Sequence, residues 1–220
     1  MKKVSIIGHG KIGKKYKEII DNINYAEYCN INDAEYVIIS TPHKNHYDVG
    51  IKCLSMGYKT LVEKPMSMDK NEYKELSDLG AVTAFSKRYH GKLKAKNFVY
   101  WAANYKRDEK YFEGWRGEYD HILWNQSIHD LDLLIWSFGI PYVVWSESDK
   151  RNIHCKLNFT NGVTCEYSAT TDSEWQTKFI LDGKSHNHPK NYPDKLLYDF
   201  LNENLEKPTT DVVDLIEYLF

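Results

Sequence analysis

Three short stretches of this 220-residue chain carry side chains suited to moving protons and charge. The first is Asn125-Gln126-Ser127-Ile128-His129-Asp130-Leu131-Asp132. On a helix, Asn125, His129 and Asp132 are spaced i, i+4, i+7 and share one face, beside an apolar stripe of Ile128, Leu131, Ile135 and Phe138. A polar row on an otherwise apolar helix is costly unless it lines a cavity or is hydrogen-bonded. A lone histidine beside a core stripe is more often structural. An imidazole bracketed by an amide and a carboxylate suits general acid/base work, because the carboxylate fixes its tautomer and stabilises the imidazolium. The second stretch is Glu63-Lys64-Pro65, which follows a buried apolar run. A lysine at the carboxyl end of a parallel strand points into the ligand crevice of a doubly wound sheet, whereas an isolated one would be a solvated surface group. The third is Gly8-His9-Gly10-Lys11-Ile12-Gly13. Its glycines let backbone approach a pyrophosphate, and the helix it opens offers free N–H groups; the alternative is a tight strand-to-helix turn with no ligand.

These residues need elements to hold them. Residues 3–7 are a β-branched run before the glycine turn, and a helical pattern follows over 11–21. Strands are expected at 36–40, 59–62 and 81–85, with helices over 45–56 and 69–79. Alternation of this kind implies right-handed βαβ units and a parallel sheet covered on both faces. After residue 85 the pattern changes to strands at 93–100, 142–147, 153–159, 163–169 and 178–181, interrupted by a helix over 125–138 and followed by a terminal helix over 193–204. The expected fold class is therefore α/β. A Rossmann-type parallel sheet occupies a domain of residues 1–87, and an α/β domain with an open mixed or antiparallel sheet occupies 88–220. The final helix is expected to pack back on the first domain.

One part of the first domain is compressed. Only about 20 positions after the glycines does the dinucleotide fingerprint place a ribose-binding acid. Residues 22–33 hold at most one short strand, and the acids available are Glu27 and Asp33. The choice between NAD and NADP stays open on this evidence of spacing.

Composition narrows the class of partner. Net charge is −2, with 29 basic and 31 acidic residues, which leaves no surplus for phosphate neutralisation on nucleic acid. No apolar run approaches the roughly 20 residues needed to span a bilayer, and the start of the chain enters a strand without a signal-peptide pattern, so a cytoplasmic location is expected. Cys29, Cys53, Cys155 and Cys165 form no metal or redox motif. A two-residue Asn161-Gly162 turn would set Cys165 opposite Asn158 and Cys155 opposite Ser168, so free thiols are expected. Arginine is scarce at 4 residues, and Arg88 and Arg116 are candidates to meet a phosphate or carboxylate, or equally to pair within the protein.

In order along the chain, Gly8 to Gly13, Ser40-Thr41-Pro42 with His46, Glu63-Lys64-Pro65, Phe85-Ser86-Lys87-Arg88-Tyr89, Trp115-Arg116, the segment Asn125 to Asp132 with Gly139 beyond it, and Phe159-Thr160-Asn161-Gly162 together resemble the Gfo/Idh/MocA family of sugar and polyol oxidoreductases. The chain is short for that family, the shortening falling at 21–35 and 92–115. The resemblance implies an NAD- or NADP-dependent hydride transfer to or from a hydroxyl or keto group of a sugar, nucleotide sugar or cyclitol. It implies that Lys64 contacts the nicotinamide ribose and the reacting hydroxyl, that His129 is the general acid/base, and that Asn125 binds or orients substrate. Gly8, His9, Gly10, Lys11, Ile12, Gly13, Ser40, Thr41, Pro42, His46 and Glu63 would hold cofactor, and Arg88, Trp115 and Arg116 would stand with Asn125 around substrate. No metal is implied. The exposed face of the second sheet would build a homo-oligomer. Two other outcomes are compatible with the same residues: a sugar- or nucleotide-binding relic without turnover, and a redox-neutral NAD-dependent glycosidase.

Overall fold

A computed structural model describes residues 1–114, 121–172 and 177–220. These fall into two units, one made of Met1–Tyr89 with Tyr192–Thr210 and the other of His90–Asn191 with Asp211–Phe220.

The first unit begins with β1 (Lys2–Ile7), α1 (Lys11–Asp21) and β2 (Ala26–Tyr28). It continues with β3 (Tyr36–Ile39), α2 (His46–Ser55), β4 (Lys59–Val62), α3 (Lys70–Asp78) and β5 (Val82–Thr83). The strands lie in the order β2-β1-β3-β4-β5, and every neighbouring pair is parallel. Val4, Ile6, Tyr36, Ile38 and Leu61 are buried against Tyr16 and Ile20 of α1 and against Leu196, Leu197, Phe200 and Leu201. The last four belong to α5 (Pro193–Leu201), which opens with proline at its first turn, where the missing N–H costs nothing. The compressed stretch holds β2 and a single tight turn, Ile31–Asp33, where a βα unit would carry a full helix. The strand expected over 81–85 is reduced to two paired residues, because β5 is the sheet edge and its chain turns away at Phe85.

The second unit is a sheet with a helix on one face. Its strands are β6 (Phe98–Asn104), β7 (Pro141–Ser148), β8 (Asn152–Phe159), β9 (Thr164–Thr170), β10 (Lys178–Leu181) and β11 (Lys184–Ser185). Their order is β11-β10-β6-β9-β8-β7, with β6 and β9 parallel and the other pairs antiparallel, so the sheet is mixed. Odd-numbered residues such as Val99, Trp101, Cys155, Leu157, Cys165 and Tyr167 are buried on the face that receives α4 (Ile128–Phe138). Phe138 meets Phe159 there, ring centroids 5.4 Å apart. Among the described residues no helix is long and apolar enough to cross a membrane.

Four further sequence expectations need correction. Strand β6 starts at Phe98 rather than residue 93. The alternation of Lys92, Leu93, Lys94 and Lys96 imitates a strand, but the Asp182 carboxylate accepts the N–H groups of Lys96, Asn97 and Phe98 (2.6, 2.9 and 2.9 Å) and bends the chain into β6 only there. The β8–β9 turn has three residues, not two: Phe159 pairs with Val163, and Gly162 takes φ 89°, so Cys155 faces Tyr167 and Cys165 faces Leu157. The four cysteines are free thiols. The helix expected over 125–138 is an α-helix only from Ile128; Leu123–Ser127 is a wider π turn. The helix expected to end at residue 204 stops at Leu201, and a second one, α6 (Asp211–Leu219), follows and packs on α4 and β7. Its apolar residues Val212, Val213, Leu215, Ile216 and Leu219 are buried at helical spacing, a pattern the sequence already carried.

Candidate active site

In the first unit the chain reverses its direction of winding between β1 and β3, the place where such sheets bind ligands at the carboxyl ends of their strands. The glycine turn sits there, and each glycine answers a different demand. A Cβ on Gly13 would stand 1.9 Å from the Gly8 carbonyl oxygen, and one on Gly8, where φ is 104°, would stand 2.5 Å from the Ser40 carbonyl carbon. A Cβ on Gly10 would meet nothing within 4 Å. Two glycines are thus dictated by protein packing, while the third keeps open a surface from which backbone faces outward. Ser40 donates its hydroxyl to the Gly8 carbonyl at 2.7 Å and fixes the turn to the end of β3. Helix α1 starts at Gly10 without any side-chain cap, so its first N–H groups remain for an anion. Thr41 Oγ1 is buried and has no hydrogen-bond partner among the described residues. An uncapped helix start, an unfilled Cβ position and an unsatisfied hydroxyl fit a dinucleotide. His9, Lys11 and Ile12 are exposed on the same turn.

The loops after β3 and β4 are tied together by one side chain. His46 is fully buried at the start of α2, with Nδ1 2.7 Å from the Pro65 carbonyl oxygen and Nε2 2.9 Å from that of Thr41. Burial lowers its pKa below the ordinary 6.5, and the Lys64 charge acts in the same direction, against the two carbonyls. His46 thus reaches the cofactor loops through backbone, by holding Thr41-Pro42 to Lys64-Pro65, and its ring presents no face to solvent. Glu63 accepts the Tyr16 hydroxyl at 2.8 Å; burial raises its carboxyl, and the Lys64 ammonium opposes that rise. Lys64 is half-buried at the carboxyl end of β4. Arg88 lies in the turn Ser86–His90, 3.5 Å from the Glu206 carboxylate and over the Phe85 ring at 5.5 Å.

In the second unit Asn125 lies within the π turn, a local form frequent at functional sites. It is buried, and its amide donates to the Tyr111 hydroxyl. Gln126 donates to the same hydroxyl at 3.2 Å, and its oxygen accepts Arg107 Nη2 at 3.1 Å. His129 is half-buried one turn further on. The carboxylate around which this helix is organised is Asp130, fully buried, which accepts the hydroxyls of Tyr105 and Tyr167, the latter at 3.0 Å. Burial and the Asp130 charge hold both phenols well above the ordinary value of 10.0. Asp132, expected on the polar face, is buried as well. Trp115 and Arg116 lie outside the described residues. Sequence reasoning missed Tyr105, Arg107, Tyr111 and Tyr167, because 105–114 shows no periodicity and Tyr167 reads as an ordinary strand aromatic. The one local signal in 105–114 is a pair of tyrosines beside one scarce arginine.

Residues 14–84 match the model of a family described as GFO_IDH_MocA, an oxidoreductase family with an NAD-binding Rossmann fold. No curated protein matches the sequence. Among solved structures, the chain is similar to the WlbA (WbpB) dehydrogenase of Thermus thermophilus in complex with NAD and UDP-GlcNAcA, with TM-score 0.82 at 16% identity, covering 100% of this chain and 94% of that one. It is also similar to the UDP-N-acetylglucosamine 3-dehydrogenase GnnA of Acidithiobacillus ferrooxidans, with TM-score 0.75 at 16% identity over 99% and 96%. A third similar structure is the WlbA dehydrogenase of Bordetella pertussis in complex with NADH and UDP-GlcNAcA, with TM-score 0.78 at 16% identity over 99% and 95%. The resemblance carried by the sequence motifs is thus matched by a family model over residues 14–84 and by fold over nearly the whole chain.

Proposed function

We propose that the protein is an NAD- or NADP-dependent oxidoreductase that moves a hydride between the nicotinamide and a hydroxyl or keto group of a sugar, nucleotide sugar or cyclitol. The observation that carries the reading is the glycine turn at the β1–β3 switch point, where Gly8 and Gly13 are dictated by packing and Gly10 by none of the described residues. The residues holding the dinucleotide would be Gly8 to Gly13, Ser40, Thr41 and Pro42, with His46 and Glu63 shaping the loops beneath them. The nicotinamide, when bound, supplies or takes up the hydride.

An alcohol releases hydride readily only as its O–H proton leaves, so a base and a charge that steadies the developing alkoxide are both required. His129 is the base in this assignment, and Lys64 supplies the positive charge. Asn125, oriented by Tyr111, positions the substrate hydroxyl. Asp130 holds the helix through two phenols and keeps His129 at a fixed height on the sheet. The outer face of the mixed sheet, where Tyr142 and Trp145 are exposed, supports association of copies through that face. The similar structures in complex with UDP-GlcNAcA favour a nucleotide-linked sugar within the substrate class.

The test combines the protein with NAD+ or NADP+ and a panel of sugars and nucleotide sugars, following reduced nicotinamide by absorbance. Turnover that His129→Ala abolishes is expected; a signal indifferent to His129→Ala would overturn the reading. The replacement of a helix by the single turn Ile31–Asp33 favours one competitor, a relic with weakened adenosine binding. Calorimetry separates the two, since sugar binding without NADH or NADPH binding belongs to the relic. Glycoside cleavage without net reduction would identify the redox-neutral alternative.

A further inference from the structure

The chain has 4 arginines, and their charges are not met alike. Arg88 faces Glu206, and Arg151 pairs with Glu109 and Asp172 at 2.8 and 3.1 Å. Arg116 lies outside the described residues. Arg107 is half-buried and has no carboxylate within ion-pair distance among the described residues. Its Nη1 donates to the carbonyls of Tyr105 and Lys106 at 2.8 and 3.0 Å, and its Nη2 donates to Gln126 Oε1 at 3.1 Å. A guanidinium carries five N–H donors in a planar fork, so these three bonds leave donors on Nε and Nη2. The group also stacks on Tyr111, 5.0 Å from the ring centroid.

The neighbouring acids are already engaged. Asp130 is occupied by Tyr105 and Tyr167, and Asp108 accepts the N–H of Tyr111 at 2.9 Å to cap its own turn. The segment is also held in place. Tyr105 N–H reaches Thr170 O at 2.8 Å and Arg107 N–H reaches Thr171 O at 3.1 Å, which prolongs the β6–β9 pairing, and Glu109 is fastened to Arg151. A preorganised guanidinium with spare donors and no counter-charge among the described residues has the make-up of an anion receptor. The Tyr111 hydroxyl, which takes the amides of both Asn125 and Gln126, links it to the candidate substrate residue.

We propose that Arg107 is the anion anchor of the substrate site, so that the substrate carries a carboxylate or a phosphate held by the guanidinium fork while Asn125 takes its neutral part. This rests on the reading of Asn125 as substrate-binding given above. Lysine would not replace Arg107, because a point charge lacks the paired donors.

The test measures binding by calorimetry for the whole chain and for Arg107→Gln, using methyl glucoside as the neutral reference, methyl glucuronide for the carboxylate arm and glucose 1-phosphate for the phosphate arm. The wild type is expected to favour one anionic probe over the neutral one by about tenfold or more, as for a charge-assisted bond, and Arg107→Gln to erase most of that ratio. The arm that shows the preference names the anion. Equal affinity for all three probes in the wild type, or a preference that Arg107→Gln leaves intact, would overturn the proposal. Should Arg107→Gln fail to fold, Arg107→Lys gives the same reading: it keeps the charge and is expected to lose at least half of the preference on a logarithmic scale, and full retention would count against the fork. NADH binding is measured separately on the wild type. Its absence, with the anion preference present, would defeat the oxidoreductase reading and leave the anchor standing.

Discussion

The glycine turn of the first unit and the Asn125 network of the second meet one demand of the proposed function, polar groups turned to a ligand, by opposite means. The turn is made by leaving side chains out: backbone packs on backbone at Gly8 and Gly13, and Gly10 leaves a surface bare. The network is made by adding side chains, since Asn125, Gln126, Tyr111 and Arg107 support one another across two segments. A site built from omission tolerates no added atom and states its requirement in residue type. A site built from mutual support depends on partners distant in sequence and states its requirement only after the sheet has formed.

The largest effect that would test this contrast comes from Gly13→Ala set against Gly10→Ala. At Gly13 the new methyl collides with a backbone oxygen that cannot move aside, and a loss of about 3 kcal/mol in chemical unfolding is expected. At Gly10 the methyl meets only solvent, and stability is expected to stay within about 0.5 kcal/mol while NADH binding falls. Equal destabilisation by both would break the distinction between packing glycines and ligand glycines.

Next in size is Asp130→Asn, which leaves two buried phenols facing a weaker, half-donating partner. About 2 kcal/mol of stability is expected to be lost, measured by denaturant unfolding, with NADH binding retained because the first unit is untouched. The same phenols set an alkaline limit. The folded pKa values of Tyr105 and Tyr167 are raised, so their contribution is complete below the ordinary value of 10.0 and is lost as pH rises from there toward the folded values. Thermal melting is expected to fall above that pH, and Tyr105→Phe to flatten the slope.

His46 gives a smaller, acid-side effect. Its folded pKa is lowered, so its contribution is complete above the ordinary 6.5 and declines as pH falls from 6.5 through the lower folded value. His46→Asn is expected to remove that acid sensitivity of the melting temperature; an unchanged pH profile would show that burial of the imidazole does not set the acid limit. The smallest effect is expected from Glu109→Gln, which removes an exposed partner of Arg151 while Asp172 remains, and melting should not change measurably.

The contrast also explains what the sequence could disclose. Glycine spacing, the Thr41-Pro42 and Lys64-Pro65 loops and the alternation of strands and helices are local, and they announce the parallel sheet and the place of Lys64. The π turn at Leu123–Ser127 is not local, because helical periodicity reads straight through it and only the pairing of Asn125 with Tyr111 across the fold reveals the wider turn. The exchange of Asp132 for Asp130 as the organising carboxylate has the same origin, since the phenols that select it come from β9 and from the end of β6. Helix α6 differs in kind, because its signal is local: Val212, Val213, Leu215, Ile216 and Leu219 carry helical spacing in the sequence itself.

The return of Tyr192–Thr210 to the first unit has a consequence for how the polypeptide is made. Val4, Ile6, Tyr36 and Ile38 leave the ribosome long before the residues that cover them, Leu196, Leu197, Phe200 and Leu201. Until those residues arrive, that half of the molecule carries an uncovered oily face. A gene fragment cut at the apparent boundary near Tyr89 would keep this face permanently, so the nucleotide-binding half is not a module that can be lifted out by a single cleavage.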